Sequence, residues 1–202
     1  KEIKTYSKLE NKLEDVINFV KKEINDGNQI FWVCPLIEES KKLDYSSAVK
    51  KYKHLTKIFN NKVGLIHGSL EKDEKNLVLN KFLNRSIDIL VSTTVIEVGI
   101  DFPQANVIVI ENSNKFGLSQ LHQLRGRVGR GNSQGTCILF YKNNLSVNAK
   151  KRIKILKKSN DGFFISEEDM KLRGFGDVLG YQQSGIKNFN LADPVHHADL
   201  FK

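Results

Sequence analysis

Leu9, Leu13, Val16, Ile17, Val20 and Ile24 recur every three or four positions, the spacing of one helix face, and Gly27 follows as a stop. Ile30 to Cys34 is continuously apolar and closed by Pro35. That run is too short for a helix and too apolar for an edge, so it reads as a buried strand. The alternation then repeats. A helical face with Tyr52, Leu55 and Phe59 leads to a strand at Val63–Ile66, and a helix capped by Ser69 and carrying Leu77, Val78 and Phe82 leads to a strand at Ile87–Val91. Val107–Ile110 and Thr136–Tyr141 complete the strands, with helical segments between them. Near-continuous apolar strands alternating with helices predict an α/β fold, a parallel sheet with helices on both faces. In such sheets the loops at the carboxyl ends of the strands hold the ligand.

From about Leu145 the pattern changes. A basic amphipathic helix sets Lys150, Lys151, Arg152, Lys154, Lys157 and Lys158 around Ile153 and Leu156. Asp161-Gly162 follows, Ser166 opens a short acidic helix, and the remainder is rich in glycine and glutamine. This divides the chain into a sheet domain, 1–144, and a helical appendage, 145–202. The lysine-rich helix reads as a solvated face in preference to a DNA site.

Composition narrows the partners. The 202 residues carry a formal charge of +9 and a pI near 9.4, which favours anionic partners, while 40% hydrophobic residues suffice for a core and argue against global disorder. No run approaches a membrane span and no export leader is recognisable, so a cytoplasmic location is expected. Cys34 and Cys137, both in apolar runs, read as reduced core thiols, and two cysteines cannot form a metal cage alone. The chain opens on Lys1 and its one methionine is Met170, so it is expected to be part of a longer protein.

Candidate chemistry sits in two stretches. In Gln120 to Gly131, QLHQLRGRVGRG, Arg127 and Arg130 are three apart and would share one side of a helical turn. Glycines at 126, 129 and 131 would let backbone and ligand approach closely. Guanidinium groups stay charged and bind phosphate oxygens bidentately, so two aimed at one point suit a polyphosphate whose charge grows during transfer. Arg125 is expected to point elsewhere as a structural residue. In Val91 to Asp101, VSTTVIEVGID, Ser92, Thr93 and Thr94 offer hydroxyl and N–H groups at a strand end that suit a phosphate backbone, and Asp101 suits a ribose hydroxyl. A plain strand exit with a helix cap explains the same residues equally well.

Absences matter too. There is no Gly-Lys dipeptide and hence no Walker A loop. Asp73-Glu74 lies in a polar helix and makes a poor Mg²⁺-holding acidic box. The glycines at 126, 129 and 131, or at 174, 176 and 180, do not match a dinucleotide fingerprint. The histidines lack metal spacing, so no metal site is expected.

Together, VSTTVIEVGID and QLHQLRGRVGRG resemble motifs V and VI of superfamily 2 helicases, and most closely those of the RecG family. FWVCPLIEES (Phe31 to Ser40) resembles the family's motif IV region, and VGLIHGSL (Val63 to Leu70) its next segment. NDGFFISEEDMKLRGFGDVLGYQQSG (Asn160 to Gly185) is similar to the translocation motif, a helical hairpin and loop that RecG shares with the transcription-repair coupling factor. The coupling factor usually has serine where Val98 stands and lacks the WVCPLIEES run.

The resemblance implies a RecA-like lobe of the P-loop-NTPase type plus the translocation motif. Arg127 and Arg130 would be arginine fingers on the γ-phosphate of ATP, which together with Mg²⁺ is bound mainly by a first lobe. Gln123, Gly126, Gly99 and Asp101 would lie on the nucleotide side. Gly68, Ser69, Thr93 and Thr94 would contact DNA, and Arg173 and Gln183 would couple hydrolysis to movement on the duplex. Phe175 stands where the family usually has proline, and Gln182 where a basic residue is common. The implied activity is that of an ATP-dependent DNA helicase that remodels stalled forks and Holliday junctions. Its partners would be branched double-stranded DNA, the first lobe and a wedge domain. The fragment alone is expected to be inactive. The alternatives are the lobe of a transcription-repair coupling factor and a non-enzymatic nucleic-acid-binding α/β module.

Overall fold

The computed structural model describes residues 2–35, 41–93, 105–129 and 134–173. Six strands run in parallel: β1 Lys4–Leu9, β2 Gln29–Cys34, β3 Val63–Ile66, β4 Ile89–Thr93, β5 Ala105–Ile110 and β6 Thr136–Tyr141. Their order across the sheet is β1-β6-β5-β2-β4-β3. The helices are α1 Leu13–Asn25, α2 Lys41–Phe59, α3 Lys72–Leu83, α4 Leu118–Arg125, α5 Val147–Lys158 and α6 Gly162–Arg173.

Central strands β2, β4 and β5 are buried at every residue, which is why they read as unbroken apolar runs. One face carries Ile30, Trp32, Ile89, Val91, Val107, Val109, Ile138 and Phe140, packed with Val16, Ile17 and Val20 of α1 and Ala48 and Leu55 of α2. The alternate residues Phe31, Val33, Leu90, Ile108, Ile110 and Leu139 are buried as well. On that side Val78 of α3 lies 2.9 Å from where a Cβ on Gly64 would stand, so only glycine lets α3 sit so close to β3. Gln29, buried at the start of β2, donates its side-chain amide to the carbonyls of Phe82 and Ile87 at 2.6 and 3.0 Å. The turn after α3 is thereby tied to the sheet.

Three expectations change. The helical spacing begins at Leu9, but Leu9 ends an edge strand, Lys4–Leu9, paired with β6, Thr5 opposite Cys137. Its alternation of polar and half-buried residues carries little apolar signal, and its partner is far along the chain. Ser69 does not cap α3. Glu71 does, its N–H donating to the Glu74 carboxylate at 3.2 Å. Ser166 lies inside α6, which starts at Gly162, where the Phe163 N–H donates to Oδ1 of Asp161 at 2.9 Å.

The chain divides by compactness into Lys1–Asp169 and Met170–Lys202. The first unit thus extends past residue 144, where the sequence pattern changes. The reason is the docking of α5, whose Ala149, Ile153 and Leu156 are buried and which packs against β1 and α4. Of the second unit only 170–173, the end of α6, are described.

Candidate nucleotide and nucleic-acid interface

The stretch around Arg127 is built by the end of α4. That helix opens with the Gly117 N–H donating to the Gln120 side chain at 2.9 Å, and it buries Leu118, Leu121 and Arg125 while leaving Gln123 exposed. It stops at Arg125. The Gly126 and Arg127 N–H groups close the last turn onto His122 and Leu124 at 3.0 Å each. Gly129 then takes φ +73°, a left-handed conformation that side chains rarely adopt, and its N–H donates to the carbonyl of Ala105 at 3.1 Å. A Cβ there would lie 2.8 Å from the Gly135 Cα.

Arg127 is therefore half-buried in a turn beyond the end of α4, followed by the left-handed Gly129. Gly129 serves backbone packing on Gly135, and the close approach it permits is to the sheet. Gly126 has ordinary room around it, a Cβ there meeting the nearest carbonyls at 3.5 Å. Arg130 and Gly131 lie outside the described residues.

Two residues before Arg127, Arg125 is 1% exposed. Its guanidinium donates to the carbonyls of Leu156 and Ser159 at 2.7 and 3.0 Å, to Oγ1 of Thr5 at 3.3 Å and to Nδ1 of His122 at 3.0 Å. A guanidinium only donates, so His122 must accept through Nδ1 and carry its proton on Nε2. Burial first, and the Arg125 charge second, hold the His122 imidazole below its ordinary range. Arg125 thus joins the end of α4, the end of α5 and the edge strand, as its structural reading expected. Beside it the Cys137 thiol is pushed up to about 12 by burial, with Arg125 pulling the other way, so it stays protonated.

The carboxyl edge of the sheet holds other candidates. Gly68 and Ser69 follow β3 and are exposed, with Lys75 donating to the Gly68 carbonyl at 3.3 Å. Neighbouring His67 is buried and held below its ordinary pKa, chiefly by burial and then by Lys75. Thr93 ends β4 at 2% exposure, and its hydroxyl has no hydrogen-bond partner among the described residues. Thr94, Gly99 and Asp101 lie outside the described residues, as does Gln183. Arg173 closes α6.

Gly68, Ser69 and Thr93 therefore stand at the carboxyl edge of the sheet, whereas the Arg127 turn lies at the opposite edge. Gly129 is bonded to the first residue of β5, and Gly135 to the first residue of β1. A strand of five or six residues separates the two edges by roughly 17–20 Å.

Two charged residues have structural roles that the sequence pattern does not assign to them. Glu111, just past β5, pairs with Lys51 at 2.7 Å and accepts from Nε1 of Trp32 at 3.0 Å, with Cys34 Sγ at 3.8 Å. Burial and this carboxylate raise the Cys34 thiol well above its ordinary range, which makes it inert. Arg152, the one arginine among the α5 lysines, donates to the carbonyls of Phe116 and Asn114 at 2.7 and 3.2 Å. That arginine among lysines was the available signal, since a fork serves two carbonyls better than an ammonium does.

The helicase conserved C-terminal domain model matches residues 11–132, and the model of domain 3, C-terminal, of the ATP-dependent DNA helicase RecG matches 159–200. The chain belongs to the helicase conserved C-terminal domain family, and its parallel sheet is the RecA-like fold of those domains. Within that family it is of the RecG type. It is 49% identical over 198 residues to the ATP-dependent DNA helicase RecG of Bacillus subtilis (strain 168), covering 97% of this chain and 29% of that protein. Against RecG of Thermotoga maritima the identity is 48% over 195 residues, covering 96% of this chain and 25% of that protein. A solved structure of RecG bound to a three-way DNA junction is 44% identical with a TM-score of 0.75, over 99% of this chain and 26% of that one. The C-terminal domain of the DEAD-box protein Dbp5, 22% identical with a TM-score of 0.56 over 85% of this chain and 97% of that one, shares the fold alone. The chain thus spans less than a third of the length of the RecG relatives.

Proposed function

We propose that the chain is the second motor lobe of a RecG-type ATP-dependent translocase on double-stranded DNA that remodels stalled forks and Holliday junctions. The observation that carries this is the Arg127 turn. Half-buried Arg127 stands on a backbone held against the sheet by Gly129, next to the end of α4 that Arg125 anchors. A cation fixed in this way suits a polyphosphate held by a neighbouring lobe. The missing Walker A loop fits a lobe that supplies fingers and not the phosphate cradle.

In this reading a first lobe binds ATP and Mg²⁺, and the metal supplies charge neutralisation there. Arg127 and Arg130 reach the γ-phosphate when the lobes close, with Gln123, Gly126, Gly99 and Asp101 on the nucleotide side. Hydrolysis removes that pairing and lets the lobes part, a two-state element biased by one charge contact. Gly68, Ser69, Thr93 and Thr94, on the other edge, hold the DNA backbone. A wedge domain elsewhere in the protein splits the fork. Residues 1–144 form the lobe, and 145–202 the translocation module through which Arg173 and Gln183 couple hydrolysis to movement.

The test is turnover of the intact protein. Arg127→Ala and Arg130→Ala should each lower ATP hydrolysis on the order of 10³-fold, with little change in DNA affinity. Wild-type turnover in either variant removes that residue from the finger role. A non-enzymatic binding module accounts for the +9 charge but not for a buried arginine anchoring the turn that carries another.

A further inference from the structure

Helix α5 holds 6 of the 32 basic residues and none of the 23 acidic ones, so the remaining 26 against 23 leave the rest of the chain at only +3. Arg152 turns inward to the carbonyls of Phe116 and Asn114. The other five, Lys150, Lys151, Lys154, Lys157 and Lys158, are all exposed. At 100° per residue they fall within an arc of about 120°, and they run along about 12 Å of helix. The arc faces away from Ala149, Ile153 and Leu156, whose burial fixes how the helix is turned. Among the described residues none of the five has a carboxylate within ion-pair distance.

Helices α1 and α3 differ from α5 in charge pattern. Lys21 and Lys22 of α1 share their helix with Glu14, Asp15 and Glu23, and Lys72 and Lys75 of α3 flank Asp73 and Glu74. Mixed signs limit self-repulsion, whereas like charges at i, i+4 cost a few tenths of a kcal/mol each. Helix α5 concentrates one sign on one arc, and no carboxylate of the described residues pairs with it, which suits an external anion.

We propose that this face of α5 is a phosphate-contact surface for a duplex arm of the DNA, which rests on the reading of the chain as a DNA motor lobe. Duplex DNA presents one negative charge per about 1.7 Å of axis, so a 12 Å lysine strip faces several phosphates at once. Lysine heads on flexible stems follow a moving backbone without reading its sequence, as a translocase requires.

The test is a salt titration of the intact protein on a fluorescent duplex and a three-way junction. Lys150→Gln/Lys154→Gln/Lys157→Gln should lower the slope of log affinity against log salt by about 2–3, near 0.9 per lost phosphate contact. Affinity near physiological salt should fall roughly tenfold or more. The charge-matched control Lys21→Gln/Lys53→Gln/Lys57→Gln, on exposed positions of α1 and α2, should leave the slope unchanged. An unchanged slope in the α5 variant, or an equal drop in the control, overturns the assignment while the motor reading stands. A wild-type protein that binds no DNA overturns both.

Discussion

Arg125 and Arg127 stand two positions apart and occupy opposite environments. The first is buried among neutral acceptors and the second half-exposed beyond the helix end. His122 completes the buried set, and its protonation state matters because a protonated Nδ1 would confront the guanidinium. Its pKa is lowered in the folded chain, so between that value and the ordinary 6.5 the unfolded chain binds the proton more readily. Stability is therefore complete above about pH 6.5 and declines as the pH falls through the folded value. Thermal melts from about pH 7 to pH 5 should show a larger loss for wild type than for His122→Gln. Part of the slope will persist, since His67 shifts the same way. Parallel curves would remove His122 from the account.

At the level of elements, one side chain joins three of them. Arg125→Met would leave the buried carbonyl of Leu156 and the part-buried carbonyl of Ser159 without their donor, at about 1–3 kcal/mol for the first and less for the second. The apolar replacement recovers some of this by no longer burying a charge. A net loss of about 3 kcal/mol corresponds to a melting temperature about 6–12 °C lower for a chain of this size. Arg125→Lys should fall between the two, because an ammonium cannot span acceptors on α4, α5 and β1 together. An unchanged melt for Arg125→Met would mean that the packing of Ala149, Ile153 and Leu156 alone docks α5.

For the whole molecule, Arg127 stands on one sheet edge and Gly68, Ser69 and Thr93 on the other, as the two surfaces of the proposed motor lobe require. If ATP is held by another lobe, the 202-residue chain alone should hydrolyse none, with or without DNA. Measurable DNA-stimulated turnover by the purified chain would refute the division of labour between lobes.

Five of the six strands and the parallel α/β class were legible because central strands are buried on both faces and keep no polar alternation. The candidate arginines were legible as well, since guanidinium groups among glycines in QLHQLRGRVGRG make a dense chemical pattern. Tertiary structure alone decided the rest. Edge strand β1 exists through its pairing with β6, a contact that local pattern does not encode. The helix ends at Arg125 because the chain must turn back through Gly129 to meet Gly135, and that turn sets Arg127 beyond the helix. Which edge carries each candidate, and which arc of α5 faces outward, follow from how helices dock on the sheet. Docking depends on contacts between residues distant in sequence, and no periodicity along the chain records them.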